Sequence, residues 1–101
     1  MEFVLAAAIW YKNYPALPSS YVVKGTDKGI VLCGCRHTHI IGQCVGLLSK
    51  PQADMGPYEQ GFITNLNRFV DRTEAAKIAL TAKQITKLKY SSTELYSEDL
   101  Y

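Results

Sequence analysis

The chain has neither a P-loop nor a GxGxxG step anywhere in its 101 residues. That removes the two glycine-rich backbone cradles most often used for nucleotide phosphates. No apolar run approaches the roughly 18 residues of a membrane-spanning helix, so no membrane association is expected. Met1-Glu2 opens without the basic segment of a secretory leader, and a cytoplasmic location is expected. Cysteine is scarce and odd in number, at Cys33, Cys35 and Cys44. Reduced thiols follow from that, and no closed disulfide framework. The C-x-C step lies near two histidines, yet the second well-formed ligand pair of a zinc site is missing, so no metal is expected. Cys33 and Cys44 are read as small core hydrophobes. No Ser-His-Asp or Cys-His order stands out, and Cys35 has no positioned base. No catalytic residue and no cofactor are therefore expected. The net charge is only +2. That is too little for general binding of long nucleic acid or membrane, and any anion selectivity must come from a local cluster.

What is present is a core-forming composition, with 48% hydrophobic and 20% charged residues. This reads as one globular domain over residues 1–101, of a size that dimerisation would help. Phe3 to Tyr11 reads as a buried strand, with three alanines that leave a helix open. The segment 13–20 is a loop with two prolines. Tyr21-Val22-Val23 and Ile30 to Cys33 flank a turn and predict a β-hairpin. A helix follows from about His37 to Leu48, stopped at Ser49-Lys50-Pro51. Gly42 and Gly46 lie on one face of it, through close approach of another backbone or through simple tolerance. Pro51 to Gln60 reads as a loop. Gly61 to Thr64 and Arg68 to Val70 form a second hairpin. Asp71 and Glu74 then make a capping box for a helix to about Lys83. Residues 93–101 form an acidic, aromatic tail that docks on the domain. The expected order is β-β-β-α-β-β-α. It gives an α+β fold: an antiparallel sheet of four to five strands with two helices on one face.

The candidate chemistry gathers where strands meet helices. Arg36 stands at a helix start, where unpaired N–H groups and the positive dipole end favour an anion, and its planar fork matches a phosphate. The bland reading is a surface arginine. His37 and His39 are two residues apart and point in different directions, so they do not form one acid–base pair. His37 can add a hydrogen bond to a phosphate or ribose, and a structural histidine is the alternative. Phe62 is a candidate stacking ring against the usual core role of a hairpin Phe. Arg68 and Arg72 bracket Asp71, whose bland role is the cap. A cation in the first turn is disfavoured unless an anion is near, which makes Arg72 a hint of a ligand. Glu98 and Asp99 can accept ribose hydroxyls if the tail docks.

The block Gly61-Phe62-Ile63-Thr64 … Arg68-Phe69-Val70-Asp71-Arg72-Thr73-Glu74-Ala75-Ala76 extends beyond these local readings. With Arg36-His37 upstream and Leu95-Tyr96-Ser97-Glu98-Asp99-Leu100-Tyr101 at the end, it resembles small phage-encoded anti-Thoeris sponge proteins. The resemblance implies a small sheet with two helices, assembled as a homodimer or higher homo-oligomer in the host cytoplasm. It implies a protein that sequesters a cyclic ADP-ribose-type or cyclic nucleotide immune signal without cleaving it. By the same resemblance Arg36 and His37 meet phosphate, and Phe62 stacks the purine with Asp71 or Arg72 nearby. Glu98 and Asp99 lie at the ribose, from the second protomer in one arrangement. Thr38 departs from the pattern, in which a second histidine follows the first, so His39 has no assigned role. Two other readings stand beside this one. One is a hydrolase of such a signal that uses His37 or His39. The other is an interaction module that blocks a host enzyme through a sheet edge or the tail.

Overall fold

The structure, a computed structural model, describes residues 1–12, 23–26, 29–48 and 56–100, with the side chains of residues 44, 45, 47 and 48 outside the description. The expected loop at 13–20, Tyr21-Val22, the helix stop at Ser49-Lys50-Pro51, the Cys44 side chain and Tyr101 therefore lie outside the described residues. The apolar start forms strand β1, Val4–Tyr11. It is followed by β2 (Ile30–Gly34), helix α1 (His37–Leu48), β3 (Tyr58–Thr64), β4 (Phe69–Asp71), α2 (Arg72–Thr81) and a single turn α3 (Ser97–Leu100). The four strands form one antiparallel sheet in the order β2-β1-β3-β4. Helix α1 packs on β1 and β2, and α2 packs on β3 and β4. This is the α+β arrangement the pattern implies. No helix among the described residues is long and apolar enough to cross a membrane.

Period-two alternation sorts the strand residues. Ala7, Ile9 and Tyr11 of β1, Phe62 of β3 and Val70 of β4 face the helices. They close a core with Ile40, Ala75, Ala76, Ala79 and Leu95. The neighbours in register, Ala8, Trp10, Cys33, Ile63 and Phe69, take the opposite face. There Trp10 meets Phe69 edge-to-face at 5.8 Å. Cys33 is thus exposed, not a core hydrophobe, because Leu32 next to it takes the inward position.

Two expectations about the strands also need correction. The first hairpin does not pair Val23 with the Ile30 strand. β2 pairs with β1, whereas Lys24 makes an isolated parallel bridge to Arg68 across the sheet. The Phe69 N–H donates to the Lys24 carbonyl at 2.8 Å. Strand β3 is also longer than expected. Tyr58 to Gln60 belong to it because Tyr11, Trp10 and Ile9 offer partners that no local pattern reveals. At the β3–β4 turn Asn67 adopts φ 57, a left-handed conformation that Asn tolerates well.

The Asp71 cap is realised, with its Oδ1 accepting the Glu74 N–H at 2.8 Å. The Glu74 carboxylate, however, turns to Arg68. Helix α2 ends at Thr81 because Lys83 turns left-handed at φ 61.

A Cβ built on Gly42 or Gly46 meets no atom of the described residues within 4 Å, so no described backbone packs closely against either glycine. Glycine costs a helix about 1 kcal/mol relative to alanine. The double change Gly42→Ala/Gly46→Ala is expected to raise the melting temperature by roughly 8 °C or more, read by circular dichroism.

Candidate functional site

Arg36 and His37 occupy the bend between β2 and α1. The Arg36 carbonyl accepts the first helical bonds, from the N–H groups of His39 at 3.0 Å and Ile40 at 3.4 Å. Its side chain is half-buried and engaged with the fold. His37 turns inward. It is buried, and its Nε2 donates to the Gly61 carbonyl at 2.9 Å. A carbonyl only accepts, so that nitrogen carries the hydrogen. The ring stands edge-on to Phe62 at 5.4 Å. Burial pushes the His37 pKa below its ordinary 6.5. The Gly61 bond opposes this, the Arg72 charge adds to it, and Glu98 opposes it again. His37 is therefore neutral at pH 7. His39 lies exposed, on a different side of the helix start.

Phe62 is fully buried. Its ring is a core contact with His37 at its edge, so it offers no free face to a purine. The aromatic faces near this point come instead from Tyr90 and Tyr96. These rings meet edge-to-face at 6.3 Å, and Tyr90 is 63% exposed.

Arg72 joins the two halves of the site. It is the first residue of α2, and its carbonyl accepts the Leu95 N–H at 3.0 Å, which seats the C-terminal segment on the helix. Its guanidinium lies 4.7 Å over the Tyr96 ring. Nη2 donates to Gln60 Oε1 at 2.7 Å, and Nε is buried without a hydrogen-bond partner. A buried guanidinium N–H without an acceptor is costly, and at a helix start the macrodipole adds to the cost. The Tyr96 ring under this guanidinium also lines, with Tyr90 and Glu98, a hollow of about 330 Å³. That volume lies at the small end of the ligand-site range.

The structure thus brings together His37, Phe62, Arg72 and Glu98, with Arg36 next to His37 in the chain. Asp99, Arg68 and Asp71 do other work. Asp99 is buried, with Oδ1 accepting the Lys89 N–H at 2.9 Å and Oδ2 the Tyr96 N–H at 3.0 Å. Both oxygens are occupied, so Asp99 shapes the backbone around the hollow and does not fit the ribose role. Arg68 clasps Glu2 through Nε at 2.9 Å and Nη2 at 2.8 Å, and its Nη1 reaches Glu74. Thr64 also donates to Glu2, at 2.8 Å. The Arg68 bonds come first among the causes that hold the Glu2 carboxyl down to about 2. Arg68 is thereby a structural clasp between the N-terminus, the turn and α2. Asp71 is the helix cap. Among the described residues no three His, Cys, Asp or Glu gather to hold a metal ion. Cys33 and Cys35 are free thiols.

Gln60, Tyr90 and Tyr96 were not expected in the site. Tyr96 had a faint signal in its place two residues before Glu98. Gln60 had none, since it reaches Arg72 only through the sheet register.

Acidification follows from two of these groups. The folded-state pKa of His37 is depressed, so its contribution is complete above about 6.5 and is lost as pH falls towards its folded value. Glu2 then loses its contribution between about 4.5 and about 2. Thermal melts are expected to fall in these two stages. His37→Gln should flatten the upper stage and Glu2→Gln the lower.

A family model described as Phage T4 y16D protein matches residues 3–101, and the chain belongs to that phage protein family. No curated protein and no solved structure matches it.

Proposed function

We propose that this phage protein binds and sequesters a nucleotide-derived immune signal of the cyclic ADP-ribose or cyclic nucleotide type, without cleaving it, in the host cytoplasm. The observation that carries the reading is Arg72, with its guanidinium over Tyr96, its Nε buried without a hydrogen-bond partner, and the hollow that Tyr96 lines with Tyr90 and Glu98. A phosphate oxygen would give that N–H an acceptor and offset the unfavourable helix-start charge. The Tyr90 and Tyr96 rings take the stacking role that buried Phe62 does not. Glu98 is exposed on the rim, and its carboxylate can accept ribose hydroxyls.

Binding is favoured over hydrolysis by His37. Its Nε2 is committed to Gly61, and His39 is on the solvent side, so the two do not face the hollow together as acid and base. The proposal includes a homodimer or higher homo-oligomer, in which a second copy would close the solvent side of the hollow. Light scattering tests this.

The decisive test is recovery of the ligand. The protein is incubated with cyclic ADP-ribose isomers and cyclic dinucleotides, separated from free ligand and heat-denatured, and the supernatant is analysed. Intact ligand returned in stoichiometric amount is expected. Cleaved product, or no retained ligand from either class, contradicts the reading.

A further inference from the structure

We infer that a second surface, a lysine-lined hollow after α2 continuing onto Tyr90, binds a short stretch of single-stranded nucleic acid through its phosphates and one stacked base. Lys83, Lys87 and Lys89 line a hollow of about 240 Å³ together with Gln84, Ile85 and Thr86. All three lysines are exposed, and none has a carboxylate partner among the described residues. The one acidic side chain that lines the hollow is Asp99. Both of its oxygens already accept backbone N–H groups, from Lys89 and Tyr96. Between Glu74 and Glu94 the chain has no acidic residue, and it carries Lys77, Lys83, Lys87 and Lys89. The modest net charge of +2 thus conceals a local cluster of three lysines at this hollow.

The ligand class follows from what adjoins the lysines. Tyr90 is the next residue after Lys89, and its ring lines the hollow of Tyr96 and Glu98, whose chain neighbour Asp99 lines the lysine hollow. The Tyr90 ring is among the most exposed large apolar side chains of the described residues, and it meets Tyr96 edge-to-face. A cationic groove beside an exposed, oriented ring is how sequence-independent single-strand binding is built: lysines follow the phosphates, and the ring stacks a base. A duplex hides its base faces and leaves Tyr90 without a role. A bare polyphosphate would use the lysines alone. Tyr90 is shared with the hollow proposed for the small messenger, but the three lysines are not. Loss of oligonucleotide binding in the lysine variant with messenger binding retained separates the two readings, and failure of the messenger reading leaves the lysine surface standing.

The test is fluorescence anisotropy on the whole protein with a labelled oligothymidylate of about ten nucleotides, titrated across salt concentrations. Saturable binding is expected, with a log–log salt slope of about −2 for three phosphate contacts to a single strand. The triple change Lys83→Gln/Lys87→Gln/Lys89→Gln should weaken binding about tenfold or more and bring the slope near zero. Tyr90→Ala should weaken it about fivefold or more while leaving competition by tripolyphosphate unchanged. Unaltered melting curves for both variants separate these losses from unfolding. The inference is overturned in any of three cases: the triple variant binds like the parent, a duplex of equal length binds more tightly than the strand, or Tyr90→Ala has no effect.

Discussion

Gly61→Ala is expected to lower the melting temperature by about 20 °C or to prevent folding altogether. A Cβ at this position would sit 2.1 Å from the Val70 carbonyl oxygen and 2.8 Å from the tip of the Phe69 ring. The ring can move, but the carbonyl belongs to β4, which is registered to β3 at this point. Relief requires the two strands to separate, and β4 is only three residues long. The same movement withdraws the Gly61 carbonyl from His37, leaving a buried imidazole N–H without its acceptor. The combined cost, about 4 kcal/mol, is a large share of the 5–15 kcal/mol that holds a domain of this size. A melt followed by circular dichroism measures it. A shift under about 5 °C would mean that the sheet yields more easily than this packing allows.

Arg72→Ala is expected to weaken messenger binding about 100-fold while lowering stability by only about 1 kcal/mol. The guanidinium is half-buried, so its contacts with Tyr96 and Gln60 contribute modestly to the fold. A charge-assisted bond to phosphate inside the hollow contributes more. Arg72→Lys should recover little of the affinity. An ammonium keeps the charge but loses the planar group that lies on the ring and forks towards a phosphate. Tyr96→Leu, which keeps apolar volume and removes the stacked face, should weaken binding about tenfold. Isothermal titration of the four proteins against one messenger ranks these effects. Equal affinities for Arg72→Lys and the parent would assign the arginine a charge role without the stacking geometry.

The local features of the fold were legible in the chain because local chemistry decides them. Asp71 and Glu74 mark the start of α2, and the step from Cys33-Gly34 to His37 marks the start of α1. What was hidden depends on register. Lys24 reaches Arg68 across the sheet, and Tyr58 to Gln60 become strand because β1 has a free edge there. The site divides along the same line. Arg72 was legible as a cation at an unfavourable helix position, and its convergence with His37 and Glu98 fits that signal. Phe62 and Asp99 are ligand candidates by residue type alone. Burial, which type does not encode, gives the ring to the core and the carboxylate to backbone N–H groups. Tyr90 and Tyr96, which carry the exposed aromatic surface, sit in a segment tied down by non-local bonds, from Leu95 to the Arg72 carbonyl and from Lys89 to Asp99.

A crystal structure of the protein with a bound cyclic ADP-ribose isomer or cyclic dinucleotide tests the central claim most directly. The account predicts density for an intact ligand in the tyrosine-lined hollow, a base against Tyr90 or Tyr96, and a phosphate oxygen within hydrogen-bond distance of the Arg72 guanidinium. Ligand bound elsewhere with Arg72 still resting on Tyr96 as before, or a hollow that stays empty at saturating ligand, would contradict it.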